Sequence, residues 1–365
     1  MTRESGSLAN RALLCLLRAG LWECPPDESV PFPLTVEVWR CVYDLAVRQT
    51  VTGLLYRALH HLPDAWQPDE ELTMRWAVAA DAIERTNRRM TATVDALFSL
   101  MREEGLHPVL MKGQGIATCY EHPLLRECGD IDLFFPNKDE ERRGTALMRR
   151  KGCRIRHSPD GSSVYRWQGV EVEHHTRLFD LHSPFLQSRL HRLAEQTDAV
   201  ILSEESHVAV EAPSALSSLL LINTHILKHV LGRGIGLRQF CDLARAYHAL
   251  QGCYNPIALH ELCTDFGIVR WTAQLHAFLV RHIGLPHSLL PFDAEGKEDS
   301  RLLELVLEGG NFGLHHQGDD IQYASTWRRK LDTVAAFWRQ RHFSIRYAPQ
   351  EAFWTVWQLL YGNLR

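Results

Sequence analysis

The hydrophobic pattern of this chain changes its period twice, and this change limits the folds that the chain can adopt. Up to residue 104 the apolar residues recur at steps of three and four, as on the buried face of a helix. Beyond it short apolar runs alternate with polar residues, as in strands, until the helical period returns at Pro213. The sequence therefore predicts an α+β protein in which a small mixed β-sheet module is flanked by helical regions. The regions are expected at 1–105, 106–210 and 211–365.

The central region is expected to contain strands, one helix and a hairpin. The strands are expected at 107–112, 130–135 and 170–175, and the hairpin at 154–167, turning at Pro159-Asp160-Gly161. Asn137 precedes a segment with acidic residues at its start and basic residues at its end. Because a helix dipole favours that order of charges, a helix capped by Asn137 and ending near Arg150 is expected.

Charge and hydropathy exclude several classes of protein. The 365 residues carry 40 basic and 44 acidic side chains, a net charge of −4, so no general basic field attracts nucleic acid or an anionic membrane. The longest uncharged stretch outside the N-terminus, Ala215–Leu227, is interrupted by polar residues and is too short to span a bilayer. No membrane segment and no targeting signal are expected.

The cysteines argue against disulfides and against a zinc knuckle. There are nine of them, an odd number, and none is spaced as Cys-x-x-Cys. Scattered cysteines of this kind are typical of reduced thiols that pack as small apolar residues. The sequence therefore predicts a cytoplasmic protein.

Two acidic strands form the strongest chemical signal. Asp130 and Asp132 are two residues apart, so on a strand both side chains project from one face, about 6–7 Å apart along the chain. Glu171, Glu173 and His175 share one face of a second strand in the same way. Carboxylates that converge from adjacent strands can hold divalent cations such as Mg²⁺. A solvated strand face remains the alternative for an isolated Asp-x-Asp.

Lys112 and Gly113 stand where the first expected strand ends and a helix opens. A glycine lets the backbone approach a ligand closely, and a lysine adds a point charge for phosphate. The alternative is a lysine that reaches solvent at the end of a strand.

The residues around these signals resemble a known family. The segment from Leu110 to Phe135 reads LMKGQGIATCYEHPLLRECGDIDLFF, and it is similar to the "LKG…Y…R…DIDLL" signature of the uncharacterised nucleotidyltransferase family with the polymerase-β-like fold. Glu173-His-His175 looks like that family's third-carboxylate strand, and 224–244 resembles its later helices. The resemblance extends from about residue 40 to the C-terminus.

The resemblance implies roles for individual residues. Asp130 and Asp132 would bind the catalytic Mg²⁺ (or Mn²⁺) ions, and Glu173 would complete the set, with Glu171 as its rival. The nucleotide would be bound by Lys112, Gly113, Gln114 and Arg126. The wider superfamily has Gly-Ser or Gly-Gly where this chain has Gly113-Gln114.

Two further groups are open to two interpretations. His225 and His229 lie one helical turn apart, which suits either a metal site or helix packing, and the resemblance suggests that they face the cleft. The basic and aromatic residues between Arg328 and Tyr347 suit either a polyanionic acceptor or an amphipathic helix.

The leading hypothesis is an enzyme, a Mg²⁺-dependent nucleotidyltransferase that moves an NMP from an NTP to an unidentified acceptor and releases pyrophosphate. The alternative is a non-catalytic binding module that retains the fold. A third hypothesis is phosphoryl transfer to the hydroxyl group of a sugar or antibiotic.

Overall fold

The computed structural model describes residues 3–158, 161–232, 234–293, 299–310 and 341–361. It confirms the α+β class, because a small mixed sheet is flanked by helices on both sides in the sequence. No helix in these ranges combines the length and the apolar character needed to cross a bilayer. All nine cysteines are free, as the sequence predicts.

Helices make up most of the described chain. They are α1 (Arg3–Trp22), α2 (Val36–Arg48), α3 (Thr52–Leu59), α4 (Glu70–Glu103), α5 (Gln114–Ala117), α6 (Lys138–Arg150), α7 (Gln187–Ala194), α8 (Ala215–Leu231), α9 (Leu237–Ala249), α10 (Pro256–Asp265), α11 (Val269–Phe278), α12 (Ser300–Gly309), α13 (Arg341–Tyr347) and α14 (Pro349–Tyr361). The strands are β1 (Val109–Leu110), β2 (Ile131–Phe134), β3 (Arg156–His157), β4 (Ser163–Trp167), β5 (Val170–His175), β6 (Thr197–Val200) and β7 (Val210–Pro213).

The described residues form two compact units. The first is helical and contains those in 1–82, 225–247 and 256–365, and the second contains those in 83–224 and 248–255, including every strand. Helices α4, α8 and α9 contribute residues to both units. The division of the chain at residues 105 and 210 stays a prediction of the sequence.

The observed elements differ from the expected ones in a few places. Within the helical period that precedes residue 104, α2 ends at Arg48 and a separate helix, α3, begins at Thr52. The helix cannot continue through Thr50, because this residue has a φ of 53°. Strands β6 and β7, which pair as a separate two-stranded sheet, have no counterpart among the expected elements. The turn at Pro159-Asp160 and most of the basic and aromatic segment between Arg328 and Tyr347 lie outside the described residues.

The main sheet has the strand order β1-β2-β5-β4-β3. Only β2 and β5 are parallel, and the segment between them contains α6 and the β3–β4 hairpin. One face of the sheet packs in a core with α4. The buried side chains of this core include Met90, Val94, Leu97, Met101, Ile131, Leu133 and Val172. The other face is therefore left to carry the polar side chains of β2 and β5.

A two-residue turn fixes the register of β4 against β5. Trp167 pairs with Val170, so Gln168 and Gly169 form the whole connection, and both have positive φ (50° and 80°). Tight hairpin turns of this kind match the right-handed twist of the strands. The register places Arg166 opposite Glu171 and Ser163 opposite His174.

Helix α6 begins at the expected cap. The side chain of Asn137 accepts a hydrogen bond of 2.8 Å from the backbone N–H of Asp139. We expect Asn137→Ala to lower the free energy of unfolding by about 1 kcal/mol, because a backbone donor of the first turn loses its partner. Asn137→Ser should retain most of that stability. Urea unfolding of both variants measures the difference, and equal losses would exclude a role for the cap.

Candidate active site

Strands β2 and β5 bring two acidic side chains together. Asp132 and Glu173 are direct neighbours in the parallel ladder. Neighbouring residues of a ladder project from the same face, so both carboxylates lie on the side of the sheet opposite the α4 core. His175, two residues after Glu173, shares that face.

The two oxygens of Asp132 have different partners. Nζ of Lys112 lies 3.1 Å from Oδ2, and Nε2 of His175 lies 2.8 Å from Oδ1. The Asp132 side chain is only 3% exposed, so both contacts act in a region with little water. Glu173 extends the cluster, because its Oε2 lies 3.5 Å from the same Nε2 of His175.

The end of β1 delivers Lys112 to this cluster. The backbone N–H of Met111 donates a 3.0 Å hydrogen bond to the carbonyl of Asp132 and so extends the β1–β2 ladder by one residue. Gly113 follows with a φ of 68°, a conformation that side chains with a Cβ rarely adopt. The chain can therefore turn directly into α5 after presenting Lys112.

Charges in the cluster hold Asp132 and Lys112 ionised. Burial opposes both charges, but the attraction between them outweighs it. The pKa of the Lys112 ammonium group rises above its usual range, and Asp130 and Asp180 add to the effect of Asp132. The pKa of Asp132 is held well below its usual range by Lys112 and His175.

Glu173 behaves in the opposite way. Burial and the nearby charges of Asp132 and Asp130 raise the pKa of its carboxyl to about 7. The pKa of His175 is also raised, since the hydrogen bond and the charge of Asp132 outweigh the effect of burial. Glu173 can therefore gain or lose a proton near neutral pH, while Asp132 stays charged.

The cluster fits a divalent cation by its donor atoms and their spacing. Asp132, Glu173 and His175 each offer a ligand atom, and the three atoms all lie within 4.8 Å of one another. Neighbouring ligands on one ion of this size are about 3 Å apart, since each metal–oxygen bond is about 2.1 Å. The charge of Asp132 keeps Glu173 partly protonated, and a bound cation would offset this repulsion between the two carboxylates. Among the described residues, this is the one such group of three.

The other two acidic candidates lie beside this cluster. Asp130 is half-buried directly before β2, and its charge acts on both Lys112 and Glu173. Glu171 is more exposed, and its Oε2 forms an ion pair of 3.0 Å with Arg156. The structure thus groups Glu173 rather than Glu171 with Asp132.

Gln114 and Arg126 are both buried near the segments that carry the site. The amide oxygen and nitrogen of Gln114 have no hydrogen-bond partner among the described residues, although the side chain is buried. Arg126 lies in the loop before β2, and its Nη1 lies 2.9 Å from Sγ of Cys128. Buried polar groups without partners are costly, which makes the Gln114 amide a candidate for binding a ligand.

His225 and His229 lie close to each other in the structure. Both are on α8, with ring centroids 4.4 Å apart, and both belong to the helical unit. Their part in a site stays a prediction.

Sequence reasoning missed two polar residues near the cluster. Asp180 lies five residues after the end of β5, and its charge helps to raise the pKa of Lys112. Ser162 precedes β4, and its hydroxyl lies 3.0 Å from Nδ1 of His175. No local pattern marks Asp180, but the Gln168-Gly169 turn could have placed Ser162 opposite His175 by counting back along the hairpin.

His174 has a structural role on the opposite face of β5. It is fully buried, with Nδ1 3.0 Å from the Thr145 hydroxyl and Nε2 2.8 Å from the Tyr165 hydroxyl. Thr145 donates its own proton to Glu141, so its oxygen must accept the N–H of the imidazole. Burial, followed by the charge of His175, lowers the pKa of His174 to about 3.

Comparison with known proteins identifies the family. A family model described as "Uncharacterised nucleotidyltransferase" matches residues 36–279, which is more than half of the chain. A search of the curated proteins found no match, and a search of the solved structures found none either. The matched range includes Asp132, Glu173 and His175, and also the turn at Lys112–Gly113 between β1 and α5, here called the Lys112–Gly113 corner. The chain belongs to the uncharacterised nucleotidyltransferase family.

Proposed function

We propose that this protein is a divalent-metal-dependent nucleotidyltransferase. It takes an NMP from an NTP, transfers it to an acceptor that is still to be identified, and releases pyrophosphate. Family membership supports the reaction class. The observation that carries the proposal is the direct pairing of Asp132 with Glu173 on parallel strands, with Lys112 and His175 on the same carboxylate.

The metal site of this proposal consists of Asp132 and Glu173, with Asp130 beside them. Mg²⁺ or Mn²⁺ bound there would offset the charge of the triphosphate and orient it for attack. Asp132 is suited to this role because it stays charged at neutral pH. Glu173 would hold the cation in its deprotonated form.

The nucleotide would lie against the Lys112–Gly113 corner. The Lys112 side chain is 28% exposed, so its ammonium group can contact both Asp132 and a phosphate. Gly113 permits close approach of the backbone. The Gln114 amide offers a donor and an acceptor that have no hydrogen-bond partner within the described part of the chain. Arg126 adds a second cation for phosphate oxygens.

Glu173 would also take the proton of the acceptor. In the reaction an acceptor oxygen attacks the α-phosphorus, the bond to the β-phosphate oxygen breaks, and the acceptor loses its proton. The carboxylate oxygen of Glu173 that does not hold the cation would accept that proton, as a general base does.

Binding of an NTP with metal tests the proposal. We expect Asp130→Asn with Asp132→Asn to abolish Mg²⁺- or Mn²⁺-dependent binding of a non-hydrolysable NTP, because the oxygens that hold the cation lose their charge. The protein should still unfold cooperatively, since Asn retains the shape of Asp. Isothermal titration calorimetry measures binding, and thermal unfolding checks the fold.

The matched control changes two exposed aspartates of the same unit, Asp139→Asn with Asp198→Asn, which alters the net charge by the same amount. Its binding should equal that of the wild type. Undiminished binding by the site variant would overturn the proposal. Binding of the NTP without any product would favour the non-catalytic binding module. The mass of a product distinguishes nucleotidyl transfer from phosphoryl transfer, because a nucleotidyl adduct is heavier than a phosphoryl adduct by a nucleoside unit.

A further inference from the structure

Ser162 occupies a fixed place behind the candidate metal ligands. It directly precedes β4, and the two-residue turn at Gln168–Gly169 sets the register that brings it to His175. Its side chain is 5% exposed, and Oγ lies 3.0 Å from Nδ1 of His175. A backbone ladder therefore holds the serine in position, rather than a flexible loop alone.

The two nitrogens of His175 face different groups. Nδ1 faces the Ser162 hydroxyl, and Nε2 faces the carboxylates, 2.8 Å from Asp132 and 3.5 Å from Glu173. A nitrogen that binds a metal must be free of its proton, so the proton of the ring would then lie on Nδ1. A hydroxyl oxygen can accept it, and this second contact fixes both the tautomer and the orientation of the ring.

The two carboxylate oxygens of Asp132 have different partners, which leaves one of them for the ion that His175 would bind. Lys112 holds Oδ2, while Oδ1 points to the side of His175 and Glu173. An ion bound on that side would meet two carboxylate oxygens and one imidazole nitrogen. Mg²⁺ prefers oxygen ligands and binds through few carboxylates, whereas a first-row transition ion also gains from an imidazole nitrogen.

We propose that Ser162 is a positioning residue that holds Nε2 of His175 toward the carboxylates, and that the resulting donor set binds Mn²⁺ in preference to Mg²⁺. This inference rests on the metal site of the proposed function and names the ion that the site selects. It assigns His175 to the metal ligands, a role that the sequence alone left open.

The test uses the full chain with Mn²⁺ alone and no nucleotide. Electron paramagnetic resonance measures free Mn²⁺ during a titration, and the pulsed form of the experiment detects nitrogen coupled to the bound ion. We expect the wild type to show nitrogen coupling and His175→Gln to lose it. Ser162→Ala should weaken Mn²⁺ binding about 10–100-fold, as removal of an outer partner of a metal ligand does. Ser162→Thr, which retains the hydroxyl, should restore it.

The neighbouring serine supplies a matched control. Ser163 is equally buried, but its hydroxyl donates to Glu141. Ser163→Ala should therefore leave Mn²⁺ affinity unchanged. Displacing half of the bound Mn²⁺ should require a higher Mg²⁺ concentration in the wild type than in Ser162→Ala.

The outcomes separate this inference from the proposed function. Bound Mn²⁺ without nitrogen coupling, or equal affinity in the wild type and Ser162→Ala, would overturn the role of Ser162 even if NTP binding with Mg²⁺ is intact. Nitrogen coupling in the wild type, together with weaker Mn²⁺ binding in Ser162→Ala, would support the role of Ser162 even if no NTP binds. In that case only the proposed function would be overturned. Absence of any bound Mn²⁺ would overturn this inference, whereas the titration with a non-hydrolysable NTP and Mg²⁺ decides the proposed function.

Discussion

Replacing Glu173 by Gln is expected to reduce metal-dependent nucleotide transfer by about 10²–10⁴-fold, the range of a general base, and to weaken Mn²⁺ binding as well. Glu173 is the direct neighbour of Asp132 and lies 3.5 Å from His175. Gln keeps the size of the side chain but removes the charge and the ability to accept a proton. Release of pyrophosphate measures transfer, and a Mn²⁺ titration measures binding.

Glu171→Gln is the matched comparison, because it makes the same change two residues earlier on the same face of β5. Glu171 is paired with Arg156 toward solvent, so its loss should leave transfer and metal binding close to wild type. The reverse result, a large loss in Glu171→Gln and a small one in Glu173→Gln, would assign the third carboxylate to Glu171.

Acid is expected to remove the contribution that neutral His174 makes to the stability of the unit that contains the strands. His174 has a pKa of about 3 in the folded protein, against about 6.5 for an ordinary imidazole. Below pH 6.5 the unfolded chain binds a proton that the folded chain cannot, so the contribution of neutral His174 to stability is complete above that pH. It is lost progressively as the pH falls toward 3, by about 1.4 kcal/mol per pH unit.

Urea unfolding at several pH values between 7 and 4 measures this slope. His174→Gln should have a shallower slope than the wild type, because Gln does not titrate, although it also lowers stability at pH 7 by breaking the contacts with Thr145 and Tyr165. His157→Gln, a change of an exposed histidine in the same sheet, is the control and should keep the wild-type slope. An unchanged slope in His174→Gln would show that His174 is not kept neutral by the fold.

Much of the local structure could be predicted from the sequence. The strand at 170–175 and the helix capped by Asn137 have the expected positions, because alternation and capping are properties of neighbouring residues. The break at Thr50 could not be predicted, since a threonine rarely adopts positive φ. Strands β6 and β7 were missed because each has only four residues, and the residues of β6 (TDAV) do not alternate between polar and apolar.

The candidate site could be predicted only in part. The signature from Leu110 to Phe135 and the acids of β5 singled out Lys112, Asp132 and Glu173, which the structure brings together. Ser162 and Asp180 carry no motif, and they reach the cluster through a hairpin register and a loop that follows β5.

The sequence by itself determined the helical and alternating segments, the family and the acidic residues available for chemistry, because these depend on residue types and short spacings. Only the tertiary structure decided that Asp132 meets Glu173 rather than Glu171, and that His175 lies between Asp132 and Ser162. The physical reason is that a strand can pair in several registers with similar local energy. The register of β2 against β5 is selected by burial of the opposite face against α4, which acts over the whole sheet rather than within one segment. The turn at Gln168–Gly169 sets only the register of β4 against β5, which brings Ser162 to His175.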